Sequence, residues 1–263
     1  MSKILRFLSM VVVLAVCLAV GFYFFYMVPR YTVPILMYHG VSDVPGDSLY
    51  VSPKNFEKQM KYLSSQKYNV ISLDEYVQNI KDDKVTPKRT VVITFDDGFE
   101  DNYTNAFPVL ADYEFPATIF IITDYVGKKT DYLNWNQIRF MAKHGISFGA
   151  HTKRNVYLPD VTDVRELWDE IMTPRIDIKK EADINAKYFC YPTGGFNEKA
   201  KNAVIKAGYI GACTTNRGKN KCNKDIFELK RVKVTNSDMT KPFHFKAKLS
   251  GYYNLFRSIK KGS

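Results

Sequence analysis

The pattern of apolar and polar positions divides the chain in two. Residues 7–28 carry no charge and are almost wholly apolar, and Lys3 and Arg6 precede them. A run of that length suits a membrane-spanning helix, which needs about 20 apolar residues. Beyond it, short apolar runs alternate with stretches that repeat their apolar residues at helical spacing. Strands are expected at 33–38, 68–73, Thr90–Phe95, 117–122, Ile146–Ala150, 188–191, 210–214 and 229–234. Helices are expected between them. One begins at Ser52-Pro53 with Phe56, Met60 and Leu63 on its apolar face, a short one spans 74–80, and another spans 104–113. Further helices are capped by Asn134 and stopped near Gly145, opened at Thr162 and interrupted at Pro174, and run over 197–207 before Gly208. Strand and helix alternating in this way predict an α/β fold with a parallel sheet, closed as a barrel or left open.

Composition adds bounds. The chain has 263 residues, 46% hydrophobic and 14% aromatic, enough for a sizeable core. A formal charge of +11 is spread along the whole length and has two readings, an ordinary solvated basic surface or an attraction to anionic headgroups or an acidic polymer. No compact basic block or nucleic-acid motif is present, which argues against nucleic-acid binding. The apolar run reads as an uncleaved anchor: the competing signal peptide has an apolar region of about 7–15 residues, whereas residues 22–28 stay apolar beyond the candidate cleavage site Ala19-Val20-Gly21. The amino terminus, Lys3 and Arg6 outweigh Arg30, so the short tail is expected in the cytoplasm. The expected organisation is a tail and transmembrane anchor over residues 1–30 and a catalytic domain over 31–263, single-pass and extracytoplasmic. Of the four cysteines, Cys17 lies in the anchor, Cys213 and Cys222 are candidates for a disulfide, and Cys190 reads as a small buried residue. No Cys-x-x-Cys occurs, which argues against a thiolate metal site.

Candidate chemistry sits at the ends of the strands, where parallel α/β folds collect their sites. His39 follows one strand, Asp96 and Asp97 another, His151 a third with Asn155 four residues on, and Tyr191-Pro192-Thr193-Gly194 a fourth. Adjacent residues of a straight strand face opposite sides, so the chain must turn at Gly98 for both carboxylates to serve one site. Asn155, at i+4, would share a face with His151 on a helical turn. Phe99, Tyr103, Trp135, Tyr157 and Tyr191 are candidates for a sugar groove, although each alone reads first as packing.

TFDDG at 94–98, HTKRN at 151–155 and FCYPTGG at 189–195 resemble the first three motifs of the polysaccharide deacetylases, the NodB-homology enzymes of carbohydrate esterase family four. LMYHGV at 36–41 and SPKNFEKQMKYL at 52–63 are similar to the poly-N-acetylglucosamine deacetylase subgroup. The resemblance spans roughly residues 33–234 and implies a distorted (β/α) barrel of about seven strands. It implies a metal-dependent hydrolase that removes N-acetyl groups from an N-acetylglucosamine polysaccharide. Asp97, His151 and Asn155 would hold a divalent metal, zinc by the family's habit. Asp96 would be the general base and His39 the general acid. Thr193 would offer its backbone N–H to the oxyanion, and Tyr191, Pro192 and Gly194 would line the substrate. Two positions depart from the pattern. Asn155 stands where a second histidine is usual, and an amide oxygen is a poorer zinc ligand than imidazole. Cys190 stands near where many relatives place an arginine that orients the base. Asn155 motivates one alternative, a glycan-binding pseudoenzyme with a degraded metal site, and the membrane anchor motivates another, a deacylase of a lipid-linked sugar or an O-acyl ester.

Overall fold

The structure is a computed structural model that describes residues 3–215, 222–241 and 243–256. It separates into two units, Met1–Thr32 and Val33–Ser263. In the first, α1 (Lys3–Phe22) passes into a π-helical stretch (Tyr23–Met27) and a 3-10 turn (Val28–Arg30). The helical stretch Lys3–Arg30 is long and apolar enough to cross a membrane, and none of its most apolar window is buried.

Among the described residues the second unit has eight strands: β1 (Ile35–Tyr38), β2 (Asn69–Ile71), β3 (Thr90–Phe95), β4 (Ala117–Ile121), β5 (Ile146–Ala150), β6 (Tyr188–Cys190), β7 (Gly211–Cys213) and β8 (Val232–Lys233). All of their pairings are parallel, in the order β7-β6-β5-β4-β3-β1-β8, with β2 on β3. A further parallel bridge joins Cys213 of β7 to Leu229, just before β8, so the sheet curls round and meets itself. The alternating pattern left a barrel and an open sheet both possible; the curled sheet agrees with the distorted (β/α) barrel that the resemblance implied.

The helices of this unit are α2 (Pro53–Ser65), α3 (Leu73–Lys81), α4 (Phe107–Asp112), α5 (Trp135–Lys143), α6 (Val164–Ala182), α7 (Glu198–Lys206), α8 (Ser237–Thr240) and α9 (His244–Lys248). Their ends follow local chemistry. Ser52 caps α2, with Pro53 in its first turn and Phe56, Met60 and Leu63 buried. Asn134 and Gln137 form a reciprocal capping box on α5. Asn197 caps α7, and Gly208 follows it at φ 84°. β1, β3, β4 and β6 are buried along their whole length, as expected for strands covered on both faces.

Three expectations are corrected. The helix expected over 104–113 is a π-helical turn at Asn102–Ala106 followed by α4, with Pro108 in the first turn where its missing N–H costs nothing. α6 is capped by Asp163 and is not interrupted: it runs through Pro174. Cys213 has a free thiol buried in β7, so the expected pairing with Cys222 is not formed, and burial pushes that thiol up to about 12. After β8 the chain docks on this unit. Phe245 of α9 packs on Tyr62 at 5.8 Å between ring centroids, and Lys248 Nζ donates to Asp238 Oδ2 and to the Lys233 carbonyl, each at 2.7 Å.

Candidate active site

Because all the strands are parallel, their carboxyl ends share one rim, and register decides which end residues meet. Tyr38 pairs with Phe95, which sets His39 beside Asp96. Ala150 pairs with Phe189, which sets His151 beside Cys190. The loops that follow these strands turn sharply, and four of their residues have left-handed backbone: Asp97 (φ 69°), Thr152 (φ 61°), Asn155 (φ 64°) and Thr193 (φ 53°). Non-glycine residues in this region cost about 1–3 kcal/mol each and cluster where function holds them.

The reversal after β3 starts one residue earlier than expected, at Asp97 itself. Gly98 N–H donates to the Asp96 carbonyl at 2.9 Å, closing a three-residue γ-turn of the rare, positive-φ kind. Gly98 continues at φ 76°, and a Cβ there would lie 2.8 Å from Ile121 Cγ2. This turn brings two consecutive carboxylates to one site. They then diverge. Asp96 points into the barrel, only 3% exposed. Asp97 faces His151, with Oδ1 3.4 Å from Nε2.

Asp96 is held by a residue that sequence reasoning missed. Arg231, just before β8 and 1% exposed, donates Nη1 to Asp96 Oδ1 at 2.6 Å and Nη2 to Asp96 Oδ2 at 2.7 Å. Its remaining N–H groups go to Thr94 Oγ1 (3.2 Å), the Thr214 carbonyl (3.0 Å) and Cys190 Sγ (3.1 Å). All five guanidinium donors thus have acceptors. Burial alone would raise the Asp96 carboxyl, but the charge and hydrogen bonds of Arg231 outweigh it and hold Asp96 well below the usual carboxylate range. The thiol of Cys190 leaves room for this guanidinium, which comes from a different strand than the family resemblance suggested. The signal in the sequence was Lys230-Arg231, two adjacent charges inside an expected strand.

His39 Nε2 lies 3.9 Å from Asp96 Oδ2. Burial lowers its pKa, against an upward pull from Asp96 and Asp97. Asn102 Nδ2 fixes the His39 carbonyl at 2.8 Å, and Asn105 Nδ2 fixes that of Val41 at 2.8 Å. The π-helical turn supplies both.

His151 Nδ1 lies 2.8 Å from the Cys190 carbonyl. A carbonyl only accepts, so Nδ1 donates to it and Nε2 is the ring atom turned towards Asp97. Nε2 and the Asp97 oxygen thus face each other as two potential ligand atoms of one cation, and a histidine whose other nitrogen donates to a carbonyl is the usual metal-ligand arrangement. Asp96, His151 and Cys190 also bring ligand atoms within 4.8 Å of one another. In that alternative trio Asp96 is committed to Arg231, and burial keeps the Cys190 thiol protonated by pushing its pKa well up. Asp97 with His151 is therefore the better donor set. Asn155 is not on a helical turn with His151. The segment is an irregular loop in which Asn155 is exposed and its N–H donates to Thr152 Oγ1 at 2.9 Å.

The loop after β6 needs a correction for one residue. Tyr191 is completely buried and stacks on Phe196, so its side chain belongs to the core and is not available to a substrate. Pro192 and Gly194 are buried, and Thr193 is exposed at the tip. The N–H groups of Gly194 and Gly195 are engaged inside the turn, by the Tyr191 carbonyl at 2.8 Å and the Pro192 carbonyl at 3.0 Å. Among the candidate aromatics, Tyr103 stacks on Phe107, and Trp135 packs against the core. Tyr157 covers Gly195, where a Cβ would meet its ring at 1.9 Å. Phe99 differs. It lies between Tyr50 (5.6 Å) and Tyr132 (5.1 Å), and Tyr132 in turn meets Tyr125 (4.9 Å), forming a row of half-buried rings. Burial first and then the charge of Asp97 push Tyr132 up to about 12.

Asp101 is a costly neighbour. Burial pushes its carboxyl up to about 6 despite hydrogen bonds from the Val41 N–H and the Asn102 side chain. Its folded pKa thus exceeds the unfolded value of about 3.9. The folded state holds the proton more tightly, so stability is greatest below the unfolded value and falls as pH rises towards 6. This group is expected to lower stability by on the order of 2 kcal/mol between about pH 4 and pH 7, and Asp101→Asn to remove that slope. Urea denaturation of both proteins at the two pH values checks this; equal pH dependence would refute it.

Among protein families, residues 83–212 match the one described as Polysaccharide deacetylase. YxkH of Bacillus subtilis (strain 168), named among the polysaccharide deacetylases, is 36% identical over 211 residues, which are 77% of this chain and 71% of that one. The poly-beta-1,6-N-acetyl-D-glucosamine N-deacetylase of Staphylococcus aureus (strain N315) is 33% identical over 170 residues, 60% of this chain and 58% of that enzyme. A solved polysaccharide deacetylase from Bacillus cereus superposes with a TM-score of 0.70 at 27% identity, covering 82% of this chain and 68% of that one. The deacetylase PplD of Streptococcus pyogenes shares the fold, with a TM-score of 0.75 at 24% identity over 82% of this chain and 97% of that one.

Proposed function

From the premise that this chain belongs to the polysaccharide deacetylase family, we propose that it is a metal-dependent hydrolase that removes N-acetyl groups from an N-acetylglucosamine polysaccharide outside the cytoplasmic membrane. The observation that carries the reading is the facing pair His151 Nε2 and Asp97 Oδ1, 3.4 Å apart, beside a second carboxylate held by an arginine. The similarity to the staphylococcal enzyme supports the substrate class. The apolar helix Lys3–Arg30 supports a single-pass anchor that leaves residues 31–263 extracytoplasmic.

Asp97 and His151 would hold a divalent ion, zinc in the first instance, with Asn155 as a neutral third donor. When bound, that ion would polarise the amide carbonyl and acidify a water. The residues of the chain do the rest. Asp96, kept ionised and aimed by Arg231, takes the proton of the attacking water. His39, beside it, gives a proton to the departing nitrogen. Thr193 offers its N–H to the oxyanion. The row Tyr50–Phe99–Tyr132 offers apolar faces for a sugar ring.

The test is acetate release from an N-acetylglucosamine oligomer by the detergent-solubilised full chain, with added zinc or cobalt(II) and a chelator control. Release that the chelator abolishes is expected, together with loss of cobalt(II) binding in Asp97→Ala. Absence of release with either metal would favour a glycan-binding role, and release that the chelator leaves untouched would exclude the metal.

A further inference from the structure

α6 runs through Pro174, which has no N–H, so the carbonyl of Glu170 loses its i+4 partner. That carbonyl accepts instead from the backbone N–H of Lys153 at 3.1 Å, outside the helix. The side chain of the same glutamate reaches the same loop. Glu170 Oε2 accepts from Lys153 N–H at 3.1 Å and Arg154 N–H at 2.9 Å, and Oε1 accepts from Arg154 Nε. Glu170 is completely buried, on the face of α6 that also buries Leu167 and Ile171. Packing alone would favour an apolar residue there, because an interior carboxylate is expensive unless it is fully hydrogen-bonded. Its hydrogen bonds go to Lys153 and Arg154, two of the three residues between His151 and Asn155.

The other side of the loop is also held. The Lys153 carbonyl accepts from Asp124 N–H at 3.0 Å and the Arg154 carbonyl from Tyr125 Oη at 3.3 Å. Thr152 and Asn155, at the corners, are both left-handed. A loop with two such corners relaxes unless something opposes the strain.

We propose that Glu170 is a positioning residue, holding the 151–155 loop in the conformation in which His151 and Asn155 can share a metal ion. This rests on the metal-dependent reading above and adds to it a residue outside all the family-like motifs. Partners that orient metal ligands typically change metal affinity about 10–100-fold when removed.

The test is cobalt(II) binding by the detergent-solubilised full chain, followed through the d–d absorption band, with circular dichroism melting alongside. Glu170→Gln keeps the size but leaves a single acceptor oxygen for three donors. It is expected to bind at least about tenfold more weakly, with a changed band shape. Glu170→Asp keeps the charge and withdraws the oxygens by one methylene, and an intermediate loss is expected; it gives the same readout if the glutamine variant does not fold. Arg154→Ala removes the Nε donor to Glu170 Oε1 but keeps both backbone donors to Oε2, and a loss of binding smaller than that of Glu170→Gln is expected. Wild-type affinity and band shape in the Glu170 variants, whatever their melting temperatures, would overturn the proposal and leave Glu170 a fold residue. Wild-type protein that takes up no cobalt(II) would instead overturn the metal reading, and this proposal with it.

Discussion

Arg231→Met is expected to destabilise the protein by about 3–5 kcal/mol and to abolish turnover. The reason is the uncompensated partner. Arg231 and Asp96 are both buried and joined by two hydrogen bonds of 2.6 and 2.7 Å. Removing the guanidinium strands a carboxylate in the interior together with the Thr214 carbonyl that it also held. Burial then acts on Asp96 against only the smaller pulls of His151 and His39 and pushes its pKa up, so the group placed as the base takes a proton before any substrate arrives. Arg231→Lys should recover only part of either property, since an ammonium supplies three donors with no planar fork for the two carboxylate oxygens. The sharpest comparison is the double replacement Asp96→Leu with Arg231→Met. Swapping a buried ion pair for apolar side chains is often neutral or stabilising, so the double variant should regain most of the lost stability yet stay inactive. Urea denaturation and acetate release measure the two properties separately. A single Arg231→Met that is as stable as wild type would show that the pair contributes nothing to the fold.

The second large effect is on rate. Asp96→Asn is expected to lower turnover by about 10²–10⁴-fold, the usual worth of a positioned general base. It differs from the arginine variant because the amide oxygen of asparagine still accepts one of the two Arg231 hydrogen bonds, so the fold suffers less. The Asp97–His151 pair, on the other side of the γ-turn, is untouched. Cobalt(II) binding should therefore survive while acetate release does not. Turnover within about tenfold of wild type would remove Asp96 from the role of base. Loss of cobalt(II) binding along with activity would mean that the two carboxylates are not divided between base and metal as proposed.

The two carboxylates also show how much of the site was legible. His39, Asp96-Asp97, His151 and the Thr193 loop could be picked out because each apolar run of a buried parallel strand ends abruptly in polar residues. The alternation of strand and helix places all such ends on one rim. Local punctuation was equally readable: Ser52, Asn134 and Asn197 cap helices because their side chains meet a backbone N–H three residues on. Where a segment's state depended on a distant donor, local reading failed. Pro174 was expected to interrupt its helix, and it does not, because a loop residue far away in sequence satisfies the carbonyl it exposes. Tyr191 was expected to face a substrate, and it is buried on Phe196, because which side of a turn a ring falls on is set by packing.

By itself, then, the sequence determined the apolar N-terminal helix, the parallel α/β architecture and the residues that stand at the strand ends, since these depend on periodicity and on neighbours a few positions apart. Tertiary structure alone decided how those residues are placed against one another. It brought Arg231 across 135 residues of sequence to clamp one carboxylate, turned the other towards His151 through a positive-φ residue, and set Glu170 under the loop between His151 and Asn155. Each of these is a contact between groups whose distance is fixed only when the sheet curls and the helices close over it, and no local pattern in the chain encodes that distance.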